Sequence, residues 1–195
     1  MTARRPRILL GVTGSVAAKL TPKLIIVLDE LGEVQVVATD PSLYFWRRKD
    51  AGVRVWTASD EWPGSVYQKD QEIPHIALGD WADILVIAPL TANTLTKMAL
   101  GLADNLLTSI YYAWPERKPV VLAPAMNTRM WNNVLTERHL AALRDWPRKL
   151  TVVSPVSKRL ACGATGRGAM ADIGDIKSGV AAALSRVVIP DDGQK

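Results

Sequence analysis

One cysteine, Cys162, stands in 195 residues. No disulfide can form within the chain, so an oxidising compartment is not needed for stability. No apolar run approaches the ~18 residues that a helical bilayer span requires, and no membrane partner is expected. The opening MTARRPRILLGVTG sets basic residues before apolar ones but runs into glycines rather than a small-residue cleavage site. No targeting signal is therefore expected, and the cytoplasm is the expected location. A long basic stripe is also lacking. Lys and Arg number 24 against 19 Asp and Glu, a net charge of +5, but they fall in short groups: Arg4, Arg5 and Arg7; Arg47, Arg48 and Lys49; Lys158 and Arg159. Without an interleaved aromatic platform these do not predict a nucleic-acid partner; a modestly basic surface equally suits a phosphorylated small molecule. There is no internal repeat, no low-complexity segment, no G-x-G-x-x-G fingerprint, no P-loop and no expected metal site.

What is present in quantity is aliphatic: 48% of the residues are hydrophobic against 22% charged. RILLGVT (7–13), EVQVVAT (33–39), ADILVIA (82–88), KPVVLA (118–123) and KLTVVS (149–154) are short and rich in Val, Ile and Leu. That is the pattern of strands buried on both faces; VRVWT (53–57) is a weaker sixth. Between them SVAAKLTPKLIIVLDELG (15–32) has helical spacing, with Pro22 a site for a kink and Gly32 a C-terminal stop. TANTLTKMALGLADNLLTSIYYAW (91–114) is expected as two helical pieces broken near Gly101. TERHLAALRDW (136–146) is expected as a helix capped by its own Thr136, and IGDIKSGVAAALSRVV (173–188) as the last helix. The alternation predicts one doubly wound α/β domain over 1–195, a Rossmann- or flavodoxin-like parallel sheet covered on both sides. The tail PDDGQK (190–195) is expected to fray.

In such a fold ligands bind beyond the carboxyl ends of the strands, and four strand exits carry unusual chemistry. TGSVAA (13–18) passes from a strand into a helix through Gly14 and Ser15, which could cradle an anion on unpaired N–H groups or simply cap the helix. ATDPSLYF (38–45) repeats the arrangement with Thr39 and Ser42, and Pro41 fits a first helical turn. Two such cradles on neighbouring strands suit one phosphate, hence a mononucleotide rather than a dinucleotide. APLTANTLTK (88–97) holds Thr91, Asn93 and Thr94 where capping needs only one of them; the surplus suits a flat polar ring or a ribityl chain. PAMNTRMW (124–131) sets Asn127, able to donate to a carboxylate, among Met126, Met130 and Trp131, which can wall an apolar pocket or belong to the core.

Three more residues could carry chemistry. His75, in the polar segment EIPHIALGDWAD ahead of a strand, is either structural or an acid, base or carboxylate-orienting group. His139, in TERHLAAL, is expected on a helix surface. Cys162 lies in KRLACGATGRGAMAD, where the glycines suit a flap that closes over substrate better than a core position.

Taken together GSVAA, HIALGDWADILVIAPLTANTLTKMALGLADNLL, PAMNTRMWNN with TERHL, and LACGATGRGAMAD resemble, in order and spacing, the flavin-containing cysteine decarboxylases, and among them the phosphopantothenoylcysteine decarboxylases. The resemblance runs from about Arg7 to Asp172. It implies FMN held at Gly14, Ser15 and Val16, with Thr39 and Ser42 near its phosphate and Phe45, Thr91, Ala92, Asn93, Thr94 and Ala125 along the rest. It implies His75 and Cys162 as catalytic residues and Asn127 on the substrate carboxylate. Met130, Arg159, Ala161 and Met170 are the further substrate positions, the last three in a flap over 155–172. It also implies a homotrimer or trimer-based assembly. One position departs from the pattern: the flap usually reads Ala-Cys-Gly-Asp, and here the fourth residue is Ala164. The implied reaction turns phosphopantothenoylcysteine into 4′-phosphopantetheine through thioaldehyde and enethiol forms. Three alternatives share the fold: an oxidative decarboxylase acting on a peptide's C-terminal cysteine, a non-catalytic regulatory flavoprotein, and a flavin prenyltransferase.

Overall fold

The computed structural model describes residues 4–62, 64, 66, 68–146, 149–159 and 165–189. In chain order the elements are β1 (Arg7–Val12), α1 (Thr21–Asp29), β2 (Glu33–Ala38), β3 (Val55–Trp56), α2 (Ala58–Glu61), α3 (Pro74–Trp81) and β4 (Ile84–Leu90). They continue with α4 (Ala92–Leu100), α5 (Leu106–Tyr112), β5 (Val120–Pro124), α6 (Thr128–Trp131), α7 (Val134–Asp145), β6 (Leu150–Val152), β7 (Val156–Arg159), β8 (Thr165–Ala169) and α8 (Ile173–Leu184).

Six strands form one parallel sheet in the order β3-β2-β1-β4-β5-β6, and β7 and β8 pair antiparallel as a separate hairpin. The aliphatic runs become strands because helices cover both faces of the sheet: every residue of β4 and β5 is buried. Side chains alternate between two cores. Ile8, Leu10, Val36 and Val86 face α1 and α8, while Leu9, Val37, Leu85 and Ile87 face α3, α4, α5 and α7. Each fully buried Val, Leu or Ile contributes about 1.5–3 kcal/mol. The strand order reverses between β1 and β4, which is where a doubly wound sheet opens a ligand crevice. No helix among the described residues is long and apolar enough to cross a membrane.

Several expected boundaries move. The helix expected over 15–32 is a short 3-10 turn, Val16–Leu20, followed by α1. Pro22 lies in the first turn of α1, where its missing N–H costs nothing, and does not kink a longer helix. α1 stops at Asp29, before Gly32. The break near Gly101 is present, with Gly101 left-handed (φ 71°) at the end of α4. α7 begins before Thr136, capped by Asn133, whose Oδ1 accepts the Leu135 N–H at 2.9 Å. Thr136 instead donates its hydroxyl to the Met130 carbonyl at 2.6 Å. His75 lies in a helix, α3, rather than a polar approach to a strand.

Candidate functional site

One buried hydroxyl joins the exits of β1 and β4. Thr13, 0% exposed, donates Oγ1–H to the Pro89 carbonyl at 2.7 Å and accepts the Thr91 N–H at 2.9 Å. The 14–16 loop and the start of α4 are thereby held side by side at the switch point. Thr91 caps α4 by accepting the Thr94 N–H at 3.3 Å. The N–H groups of Ala92 and Asn93, in the first helical turn, have no intrahelical acceptor and are left to bind something else.

The exits of β1 and β2 are pressed together as well. A Cβ at Gly14 would stand 2.6 Å from the Pro41 Cβ, so only glycine allows the two loops this approach. Ser15 caps the 3-10 turn through the Ala17 N–H at 3.3 Å, and Thr39 donates to the Val12 carbonyl at 3.2 Å. Ser42, expected at a phosphate, is 0% exposed and donates to the Thr39 carbonyl at 2.7 Å. It closes its own turn.

These exits surround a cavity of about 600 Å³. Gly14, Ser15, Val16, Thr39 and Phe45 line it together with Thr91, Ala92, Asn93, Thr94 and Ala125. Met126 and Met130 close it on the β5 side. Ser42, His75, Asn127 and Met170 are not among the lining residues. Asn127 follows Met126 of the wall and caps α6: its Oδ1 accepts the Met130 N–H at 2.9 Å, which fixes the amide and leaves its NH2 group out of the cap. Met170, expected at substrate, is 5% exposed and belongs to the core facing α1 and α8.

The glycine-rich segment forms the β7–β8 hairpin, docked on the exit of β5. Met126 donates its N–H to the Gly168 carbonyl at 2.9 Å. Gly168 has φ 142°, and a Cβ there would meet the Met126 carbonyl oxygen at 2.4 Å; both facts require glycine. Arg159 ends β7. Cys162, with Ala161 and Ala164, lies outside the described residues.

His75 stands in the first turn of α3 with Nδ1 2.9 Å from Oε1 of Glu61. His139 is half-buried between α4 and α7, Nδ1 3.1 Å from the Thr96 hydroxyl, and is not a free surface group.

An ion pair also borders the cavity. Lys97 and Asp104 both line the cavity and meet at 2.5 Å. The Lys97 hydrogen bond holds the Asp104 carboxyl below the usual carboxylate range. Beside it Asn105 caps α5 in a reciprocal box with Thr108. The Asp-Asn pair just before an apolar helix was the available signal.

Residues 1–185 match the family described as Flavoprotein. A phosphopantothenoylcysteine decarboxylase of Arabidopsis thaliana is 49% identical over 173 residues, covering 88% of this chain and 81% of the relative. The chain belongs to the flavoprotein family. Among solved structures, a cysteine-to-serine mutant of PPC decarboxylase complexed with pantothenoylaminoethenethiol superimposes with a TM-score of 0.88. It is 47% identical and covers 93% of this chain and 100% of its own. The FMN-binding protein AtHal3 superimposes with a TM-score of 0.85 at 46% identity, over 95% and 100% of the two chains.

The cavity of this flavoprotein fits FMN on its own chemistry. Its volume lies within the roughly 300–1,000 Å³ of small-molecule sites. The joined 14–16 and 39–41 loops and the open first turn of α4 offer N–H and hydroxyl groups to a phosphate and a polar ring edge. Phe45, Leu106, Leu107 and Met126 supply apolar walls for a flat ring.

Proposed function

We propose that this flavoprotein is a phosphopantothenoylcysteine decarboxylase, converting 4′-phospho-N-pantothenoylcysteine to 4′-phosphopantetheine in coenzyme A biosynthesis. The observation that carries the reading is the carboxamide of Asn127, fixed by the Met130 N–H and next in the chain to Met126 of a flavin-sized cavity. An amide held by its own helix can grip a carboxylate without adding charge, and the thioethers keep the surroundings dry.

FMN, when bound, supplies the oxidation of the thiol-bearing carbon and the later reduction, so that the substrate passes through thioaldehyde and enethiol forms with no net redox change. The protein does the rest. Gly14, Ser15, Val16 and Thr39 hold the phosphate end; Phe45, Thr91, Ala92, Asn93, Thr94 and Ala125 seat the remainder. Asn127 turns the substrate carboxylate so that the bond to CO2 is the one that breaks. His75 takes up and returns a proton, and Cys162 gives the proton that carbon needs once CO2 has left. Met130, Arg159 and Ala161 belong to the substrate side, Met170 anchors the 155–172 segment in the core, and the whole chain acts as one domain.

His75 does not line the cavity of its own chain. A homotrimer, with flavin near the subunit contacts, is the assembly in which it serves a neighbouring site, and the cytoplasm is the proposed compartment.

The test is CO2 release from phosphopantothenoylcysteine by the FMN-loaded protein. Activity should depend on added FMN and fall by roughly 10²-fold or more in Asn127→Ala, which keeps its flavin. A flavin-loaded protein that releases no CO2 would refute the reading.

A further inference from the structure

The shortest helices of the fold carry some of its most committed side chains. α2 is four residues long and ends in two acids with separate tasks. Asp60 caps it: Oδ2 accepts the Thr57 N–H at 2.7 Å and the Thr57 hydroxyl at 2.8 Å. Glu61 takes no part in the cap. Its side chain is 5% exposed, and its partner among the described residues is His75, at 2.9 Å.

Burying a carboxylate is costly, and a leucine or glutamine of similar volume would fill the same space without that cost. The acid therefore needs an explanation in terms of its partner. An ionised carboxylate only accepts hydrogen bonds, so the nitrogen facing it, Nδ1, must carry a hydrogen. The neutral ring then presents Nε2 with a lone pair, and the imidazolium presents Nε2–H while keeping the same bond to Glu61. Nε2 is then the ring nitrogen not engaged by Glu61. The His75 side chain is 27% accessible, against 5% for that of Glu61. The same four-residue helix reaches the cavity of its own chain through Ala58, while Glu61 and His75 lie outside that lining.

We propose that Glu61 is a positioning residue for the decarboxylation: it locks His75 in the Nδ1–H form and reserves Nε2 for proton exchange with substrate. The proposal rests on the reading of His75 as the active-site histidine.

The experiment uses the FMN-loaded protein labelled with 15N-histidine. The chain has two histidines, so a His139→Gln variant assigns the His75 signals. In the unaltered protein His75 should show a protonated Nδ1. In Glu61→Leu the Nε2–H tautomer should take over, kcat should fall about 10-fold or more, and KM and flavin content should stay nearly constant. Glu61→Gln can accept from Nδ1 or donate to it, so it should give a tautomer mixture and an intermediate kcat. This variant carries the test if the leucine variant does not fold. Unchanged His75 tautomer and kcat in the variants that fold would overturn the proposal, as would a loss of rate no greater than the loss of bound flavin. His75→Gln separates the two claims. If it is inactive while the Glu61 variants are fully active, only the role of Glu61 falls; if it is fully active, the role of His75 falls and takes that of Glu61 with it.

Discussion

A hydrogen atom on Gly14 is what lets the exits of β1 and β2 act together. With a Cβ there, Pro41 would have to move away from a 2.6 Å contact, and the 14–16 and 39–41 loops would part. Gly14→Val is expected to weaken FMN binding by about 10-fold or more, near 1.4 kcal/mol, while the sheet still folds. Titration by quenching of flavin fluorescence measures it, and an unchanged dissociation constant would contradict the paired cradle. At this scale the sequence was informative where a residue type has few uses. A glycine between a buried strand and a helix start points to an anion cradle, and Asn127 points to a polar contact in apolar surroundings. It was less informative for hydroxyls, which serve the backbone as readily as a ligand. Ser42 closes its turn, and Thr13, one more hydroxyl at a strand end, joins two loops.

Elements were legible in proportion to their burial. β1, β2, β4 and β5 are covered on both faces, and their aliphatic runs show it. α3 was missed because its eight residues begin at a proline and have no side-chain cap, so only Pro74 in the first turn marked its start. The glycines of 163–168 suggest a flap but do not announce the β7–β8 hairpin, in which Gly168 lets β8 lie against Met126. Another link between elements has a pH signature. Asp83, just before β4, makes a two-pronged pair with Arg4 at 2.7 and 2.8 Å and accepts the Arg7 N–H at 2.7 Å. Burial alone would raise its pKa, but the Arg4 hydrogen bonds, the Arg7 N–H and the positive charges of Arg4 and Lys118 outweigh burial and lower it. A carboxyl with a lowered folded pKa adds stability that is complete above its unfolded value and is lost as pH falls through the folded one. Asp83→Asn should therefore lower Tm at neutral pH and flatten its fall in acid. Parallel curves for the two proteins from pH 7 to about pH 2 would contradict this.

At the scale of the whole molecule, the sheet brings three of the four singled-out strand exits and the thioethers of the fourth to one cavity, and leaves His75 outside its lining. The parallel order follows from the alternation of strands and helices, whereas completion of a site by another subunit has no local pattern in a chain. If the site is shared, mixing His75→Gln subunits with Asn127→Ala subunits should regain activity that neither homogeneous assembly has, because some sites then receive both native residues. No recovery in mixed assemblies verified by mass would place both residues in one subunit. The chemistry itself is tested most directly by the mass of the product formed from phosphopantothenoylcysteine on the FMN-loaded protein. The account predicts a product lighter by about 44 Da, the loss of CO2 alone with the thiol restored. A product lighter by about 46 Da, an enethiol released without reduction, would contradict it.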